Sequence, residues 1–534
     1  MSDIPSPPVP PGRTVHGPDS WAVPPAPPVR QDPAPDWVQR TRSPKPAPPS
    51  PGVLVSVLLT GVVAASVSAW SFGLNVLIVA LLTSLGAWLA ARRAGRRPGP
   101  WSLLLACGGL LLLAVPALRD AGWPSALAVC AAVLVGALAV NGGRGWHAVL
   151  FAWVGLLNAL GSAFEWYGLG LRALPRDDRR RWVPLLRAIG VASGLLVVFG
   201  ALFAGADAEF AHLLGGVLPS VSASGAPVGV LYLIGGLVLA LAAARAGAAP
   251  TRWDRIKPAP GRERGRLEWL LPLVVLNALF AAFIAVQLAV LFGGYSAVLR
   301  STGLTYAEYA RQGFWQLLTV TVLTLVVLAL ALRWAPRSAP RDPLLVRVTL
   351  GVLCLLALVV VASALRRMDL YVGAYGLTRL RVSVAGTELW LGVVLVLLMA
   401  AGLVRRGGRW LPRAVVASAV LGVLVFAGIN PDGLIAAQNA DRFQRTGKID
   451  LDYLRSLSAD AVPALDKLPE PQRSCALGVI ADDLESDDSL PWYADNLGRS
   501  RARALLVRTH WTAAGSDSAC SAAGYFPGED GDIG

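Results

Sequence analysis

The chain has 534 residues, of which 54% are hydrophobic and only 15% are charged, and its mean hydropathy is +0.55. This balance excludes an ordinary soluble globular protein and indicates a membrane protein. The formal net charge of +14 would also suit a nucleic-acid-binding protein, but the distribution of the charge along the chain argues against that class.

The charge is divided unevenly. From residue 431 to the C-terminus, 10 Lys and Arg face 17 Asp and Glu, whereas the preceding residues carry 38 basic against 17 acidic side chains. The basic residues cluster in short loops between apolar runs, and such loops set the orientation of membrane proteins. We therefore expect the lipid bilayer as partner, with an anionic lipid or an envelope protein as further candidates and no nucleic acid.

Residues 1–50 are rich in proline and poor in branched apolar residues, so we expect a disordered tail. Apolar segments of spanning length, about 20 residues each, follow it. They predict an all-α, polytopic transmembrane helix bundle over residues 51–430. The predicted spans, about eleven in number, are 53–70, 73–91, 101–118, 123–140, 185–206, 228–246, 268–292, 313–332, 344–365, 387–404 and 412–430.

Residues 147–171 form one more apolar segment, and its role is ambiguous. Asn158, Ser162 and Glu165 share a helical face within it, and tryptophans typical of membrane interfaces accompany them. We therefore expect an amphipathic helix at the membrane surface. If this helix does not cross the membrane, all five arginine-rich loops fall on one side, which the positive-inside rule makes cytoplasmic. These loops lie near residues 92–97, 172–187, 245–266, 333–347 and 405–413. The N-terminus would be cytoplasmic and the C-terminus extracytoplasmic, in a multi-pass protein of the cell membrane.

The polar C-terminal region predicts a small helical extracytoplasmic domain over residues 431–510, followed by a disordered tail over residues 511–534. Asn430 can cap its first helix, with a proline at the first helical position. Cys475 and Cys520 lie in this region. An oxidising compartment allows a disulfide between them, and two free thiols are equally compatible with the sequence.

The segment Met368–Arg381, which reads MDLYVGAYGLTRLR, separates two apolar runs. It is the one outer loop that breaks the charge rule, since the other outer loops are nearly free of basic residues. Its arginines either meet lipid phosphates and nearby acids or belong to a functional site.

Carboxylates and guanidiniums collect at the outer helix ends, and polar groups near lipid usually face the bundle or a wet cavity. Two interpretations remain open: an external cavity for an anionic ligand or proton relay, and an ion-paired cap that docks the C-terminal domain. We expect Arg379 and Arg381 to converge with Asp207 or Glu308. The candidate outer-face cluster is Asp207, Glu308, Arg311, Asp369, Arg379, Arg381, Asn430, Asp432, Asn439 and Arg442.

Inside the predicted spans, Asn277 and Gln287 are expected to hydrogen-bond between helices, and Glu388 is placed at an outer helix end. No nucleotide, metal or hydrolase motif is found, so no metal, cofactor or catalytic residue is assigned. The leading hypothesis is a non-enzymatic envelope protein, either transporter-like or concerned with signalling or assembly. The alternative is a membrane enzyme acting on a lipid-linked substrate, with Asp207, Glu308 or Asp369 as acid or base.

Five motifs resemble a bacterial integral-membrane family, the domain-of-unknown-function family numbered 4173. The longest are YAxYARxGFxxL, RMxLYxxAYGLTxLR and NPDxxIAxxNxxR followed by DxxYLxxLSxDAVP, and they match Tyr306–Leu317, Arg367–Arg381 and Asn430–Pro463. Shorter matches near Phe199–Asp207 and Gln287–Gly294 depart from the family at single positions. The resemblance spans roughly residues 180–470 and implies a multi-pass membrane protein without a stated activity.

Overall fold

A computed structural model gives the architecture of most of the chain. It describes residues 41, 46–67, 73–173, 226–256, 263–293, 314–336, 338–404, 408–486, 491–509, 511 and 516–524.

The described residues form helices and no strands, which confirms the predicted all-α class. The membrane-domain helices are α1 (Pro51–Val67), α2 (Leu74–Arg93), α3 (Pro100–Leu113), α4 (Val115–Leu118), α5 (Gly122–Asn141), α6 (Trp146–Ala173), α7 (Ala226–Ala248), α8 (Arg266–Gly293), α9 (Phe314–Arg333), α10 (Asp342–Tyr375), α11 (Arg379–Leu403) and α12 (Leu411–Gly428). The C-terminal helices are α13 (Pro431–Thr446), α14 (Leu451–Arg455), α15 (Val462–Leu465), α16 (Gln472–Ser486), α17 (Leu497–Arg508) and α18 (Ser516–Ala522).

Within the described ranges, ten helices are long and apolar enough to cross a membrane by length and composition, so the chain is a polytopic helical membrane protein. Nine of them coincide with predicted spans, and the tenth is α6. Helix α1 matches a further predicted span but has only 17 residues. The span predicted over residues 185–206 lies outside the described residues.

The spanning helices pack in two groups. Helices α1, α2 and α7 pack together and connect through α2 to α3 and α4, while α10 packs against α8, α9 and α11. Helix α12 contacts α11 on one side and α3 and α5 on the other, and so joins the two groups. Small residues on α7, such as Gly236 beside Ala64, allow this close approach of helices in lipid.

One end of the bundle, here named the basic end, holds the C-termini of α2, α5, α7, α9 and α11 and the N-termini of the helices that alternate with them. Arg96 after α2 donates to Gly247 O in α7 at 2.6 Å. The indole of Trp101 in α3 donates to Gly143 O after α5. In the second group, Arg266 at the start of α8 pairs with Asp342 at the start of α10, at 2.7 Å.

Helix α6 contacts the basic end at two separate points. Gly155 lies against the Asn141 side chain at the end of α5. Farther along α6, the indole of Trp166 donates to Ala47 O, ahead of α1, at 2.9 Å. Residues 155 and 166 are separated by roughly 16 Å of helix, yet both contact the same end of the bundle.

The opposite end, here named the domain end, carries helices α13–α18, which form the C-terminal domain. Its core includes the fully buried Ile435, Leu465 and Leu477. The backbone N–H of Asn75 at the start of α2 donates to Tyr493 O in this domain, at 2.9 Å. The domain therefore rests on the bundle end opposite to α6.

Candidate functional site: the joint between bundle and C-terminal domain

The MDLYVGAYGLTRLR segment forms the last turns of α10, a tight turn and the start of α11. Helix α10 ends at Tyr375, and Gly376 follows with φ of +81°, a conformation that favours glycine. Thr378 then caps α11, its hydroxyl accepting from the backbone N–H of Arg381 at 3.5 Å. This sharp reversal presents Arg379 to the C-terminal domain. We name the contact surface around it the joint.

The central contact of the joint is the pair between Arg379 and Asp432. Nε and Nη2 of the arginine donate to the two carboxylate oxygens at 3.2 and 2.8 Å. Asp432 is fully buried, and it also accepts from the Trp123 indole at 2.9 Å and from the Ser458 backbone N–H at 3.0 Å. Burial acts to raise the pKa of Asp432, but these hydrogen bonds and the guanidinium charge outweigh it and hold the pKa below its ordinary value.

A second buried carboxylate lies beside the first. Asp460 accepts from the backbone N–H groups of Asp120 and Ala121 at 2.7 and 3.0 Å. Asp120 in turn accepts from the Ala459 backbone N–H at 3.0 Å and from Arg499 Nε at 2.6 Å. Burial dominates at Asp460 and raises its pKa above the ordinary value. The loop between α4 and α5 is thus held by residues more than 300 positions later in the chain.

Two asparagines from the predicted cluster complete the joint through the backbone. Asn430 adopts φ of 53°, caps α13 by accepting from Gly433 N at 3.2 Å, and donates to Asp460 O at 3.0 Å. Asn439 accepts from Leu377 N at 3.2 Å and donates to Leu377 O at 2.8 Å. Both side chains therefore satisfy backbone groups that helix ends leave unpaired.

The remaining arginines of the cluster also bind backbone oxygens. Arg381 donates to Gly376 O, and its guanidinium lies 4.3 Å from the centre of the Tyr371 ring. Arg442 donates to Ala374 O at 2.6 Å. The turn after α10 is consequently held from both of its sides.

Sequence reasoning named one side of the joint and missed the other. Arg379, Asp432, Asn430, Asn439, Arg381 and Arg442 meet there, whereas Asp120 and Asp460 were not predicted. The sequence gives only a slight signal for Asp120, which follows Arg119, the only basic residue of the loop 119–122.

Other predicted residues lie elsewhere. Asp369 is exposed and pairs with Arg366, in the preceding turn of α10, at 2.9 Å. The predicted convergence of Arg379 and Arg381 with Asp207 or Glu308 cannot be placed, because Asp207, Glu308 and Arg311 lie outside the described residues.

The intramembrane polar residues are placed in the second helix group. Asn277 in α8 donates to Thr349 O in α10 at 3.3 Å, and Gln287 lies farther along α8. Glu388, expected at a helix end, instead lies well inside α11 and is fully buried. The reason is that α11 begins at Arg379, eight residues before the predicted span.

In the C-terminal domain, Cys475 and Cys520 form a disulfide that joins α16 to α18. Among the described residues, no group of three His, Cys, Asp or Glu side chains is arranged to hold a metal ion. The joint therefore combines carboxylates that accept several hydrogen bonds with side chains that satisfy backbone groups.

Comparisons with known proteins give one match. The model of a family described as Domain of unknown function (DUF4153) matches residues 106–468, more than half of the chain. The family number expected from the motifs, 4173, is not confirmed. No curated protein and no solved structure matches.

Proposed function

The chain belongs to the DUF4153 family of unknown function, and from that premise we propose that it is a non-enzymatic component of a bacterial cell envelope. In this proposal the helix bundle holds the C-terminal domain at the extracytoplasmic face of the cell membrane, where the domain serves signalling or assembly. The ion-paired cap, one of the two interpretations of the outer charges, is the one that the geometry favours.

The observation that carries the proposal is the saturation of Asp432. Both of its oxygens accept hydrogen bonds, from Arg379, Trp123 and Ser458, in a fully buried setting. A general acid or base must exchange a proton with substrate within hydrogen-bond reach. A buried carboxylate held ionised by a bidentate arginine is suited to attachment instead.

The proposed orientation rests on the basic end. Arginines crowd the loops there, including Arg92, Arg93, Arg96 and Arg97 after α2, and the positive-inside rule makes this end cytoplasmic. The domain end, with the disulfide, then lies outside, where oxidation allows the bond.

We also propose that α6 lies in the plane of the membrane. The contacts of Gly155 and Trp166 described above fall at the basic end, and the small residues of α6 are buried, among them Ala148, Ala159 and Ala163. On the opposite side, Leu150, Leu157 and Phe164 are spaced by seven residues and expose an apolar face. An in-plane helix would turn this face to lipid.

The functional experiment is complementation of a deletion strain, read out by lipid and metabolite profiling. Wild type and Asp369→Asn are expected to restore the wild-type profile, because Asp369 is exposed and its described ion pair is with Arg366 and not with a residue of the joint. Arg379→Ala is expected to fail while the bundle still accumulates in the membrane, because the joint is broken.

The outcome that contradicts the proposal is a loss of complementation by Asp369→Asn at normal protein level with an intact joint. That result would favour the alternative of a membrane enzyme with outer-face carboxylates. Full complementation by Arg379→Ala would equally remove the functional importance of the joint.

Orientation is tested by labelling intact cells with an impermeant thiol reagent. Val507→Cys on the C-terminal domain is expected to react, and Arg97→Cys at the basic end to react only after lysis. For α6, lipid-borne quenchers should reach probes at positions 150 and 164 equally. A spanning helix would separate these positions by roughly 21 Å of depth and give unequal quenching.

A further inference from the structure

Glu388 is a carboxyl group enclosed within the membrane bundle. It lies nine residues after the start of α11, roughly 13 Å inside the domain end, and none of its surface is exposed. Its Oε1 is 2.9 Å from the hydroxyl of Thr321 in α9. Its Oε2 is buried and has no hydrogen-bond partner among the described residues.

The hydrogen bonds around Thr321 indicate which form of the carboxyl group the site holds. The threonine hydroxyl is 3.1 Å from Leu317 O and 2.9 Å from Glu388 Oε1. A hydroxyl has one proton to donate, so a donation to both oxygens would be a shared and weaker hydrogen bond. Both contacts become full hydrogen bonds when the carboxyl carries a proton and donates it to Thr321 Oγ1.

The surroundings of Glu388 offer no described counter-charge. Along α11, one turn further, Gly392 packs against Val361 of α10, and Leu395 is fully buried nearby in sequence. An ionised carboxylate in such a place is costly without a paired cation. Arg366 and Arg367 lie nine and eight residues before the end of α10, at about the depth of Glu388, but Thr321 is the only hydrogen-bond partner of the Glu388 carboxyl oxygens among the described residues. Cys354 lies midway along α10. The other titratable or charged residues described on α9, α10, α11 and α12 lie within six residues of a helix end, and they are Arg333, Asp342, Arg347, Asp369, Tyr371, Tyr375, Arg379, Arg381 and Arg413.

Polar groups continue from Glu388 toward the basic end. Thr321 and Thr324 of α9 are both buried, and Asn277 of α8 has a buried Oδ1 without a hydrogen-bond partner among the described residues. Measured along their own helices, Thr324 and Asn277 lie roughly 13 and 16 Å from the basic end, and Thr349 roughly 10 Å. The second helix group thus contains polar side chains at several depths below Glu388.

We propose that Glu388 is a proton-binding site within the membrane, which takes a proton from water as its carboxylate becomes a carboxylic acid and returns it to water. Thr321 positions the carboxylic acid. The buried polar groups of α8, α9 and α10 bind water molecules along the path by which the proton travels between Glu388 and the basic end. This inference is independent of the attachment role of the joint, since neither Arg379 nor Asp432 takes part.

The test uses the full chain reconstituted in lipid vesicles and a hydrophobic carbodiimide, which reacts with protonated carboxyl groups in apolar surroundings. Wild type is expected to be labelled at Glu388, with labelling that declines as pH rises. Glu388→Gln is expected to lose the label. The matched control is Glu268→Gln at the exposed start of α8, where the side chain is 67% exposed, and it should leave labelling unchanged.

Thr321→Val provides a second variant, because it removes the hydroxyl and keeps the shape. Its labelling is expected to show a shifted pH profile, which a purely structural role for Thr321 would not produce. Absence of label in folded wild type, or equal labelling of Glu388→Gln, would overturn the proposal. Protection of Glu388 by sodium ions at constant pH would also overturn it, since a metal cation would then be the ligand.

Discussion

Asp432 and Glu388 are both fully buried carboxyl groups, yet they lie in opposite environments. In the joint, Asp432 receives a guanidinium, an indole and a backbone N–H. In the bundle, Glu388 has a single hydroxyl neighbour within hydrogen-bond distance among the described residues. The hydrogen bonds around Asp432 stabilise its ionised carboxylate. The surroundings of Glu388 suit a carboxyl group that gains and loses a proton.

The difference teaches that burial alone does not assign a role to an acid. The number and kind of donors around the oxygens decide whether the ionised form is held or disfavoured. In this chain the donors come from segments far apart in sequence, so the distinction emerges only from the fold.

The largest expected effect comes from removing the charge at the joint. Asp432→Ala leaves Arg379 and the Trp123 indole without their acceptor and should destabilise the attachment by about 3–5 kcal/mol. Glu388→Gln keeps a hydrogen-bond donor for Thr321 Oγ1 and should cost far less. Denaturant unfolding in detergent, with protease release of the C-terminal domain, measures both. Equal losses of unfolding free energy for the two variants would contradict the proposed difference between Asp432 and Glu388.

The disulfide lies within the C-terminal domain, so its removal tests whether the stability of this domain is separate from that of the bundle. It closes a loop with a sequence separation of 45, so Cys475→Ala should lower the stability of this domain by about 2–4 kcal/mol and leave the bundle unchanged. Proteolysis of the purified protein, followed by mass spectrometry, reports each region. Cys107→Ala, at a free cysteine on the outside of α3, is the control. Melting of the bundle with the domain would show that the two regions are not separable.

The turn before α11 gives a smaller effect. In Gly376→Ala the new Cβ would collide with Asn439 Oδ1 and would also sit at positive φ, so we expect a loss of about 1–3 kcal/mol at the joint. Gly373→Ala is the matched control on α10, because no atom lies within 4 Å of the position that its new Cβ would occupy. Hydrogen exchange of the Leu377 amide, which donates to Asn439, is the local readout. Unchanged protection in Gly376→Ala would contradict the proposed role of the turn.

The smallest effect is the pH dependence of the joint. The lowered pKa of Asp432 means that its contribution is present above the unfolded pKa and is lost as pH falls through the folded pKa. The raised pKa of Asp460 has the opposite sign: its ionisation weakens the joint as pH rises from the unfolded toward the folded pKa. Asp432→Asn should therefore flatten the acid limb of the unfolding curve, and Asp460→Asn should steepen it. Identical pH dependences of unfolding for the two variants would contradict the opposite pKa shifts of Asp432 and Asp460.

The sequence was sufficient for the bundle, because an apolar run of about 20 residues has few alternatives to a spanning helix. It also singled out Arg379 and Arg381, since they break the charge rule. It could not choose Asp432 as the partner of Arg379, because that choice depends on how α13 folds back onto α11. Asp120 and Asp460 were missed for the same reason, being 340 positions apart. Glu388 was misplaced because hydropathy alone did not reveal the cap at Thr378.

Helix α10 has 34 residues and is therefore roughly 51 Å long, against a hydrocarbon layer of about 30 Å. The excess of roughly 21 Å is shared between the two ends of the helix, and the end at Tyr375 carries the joint. A tilt of about 20° would move a tip that projects roughly 10 Å from the lipid sideways by roughly 3 Å. Any rearrangement of the bundle would in this way reach the C-terminal domain as a displacement, without a hinge between them.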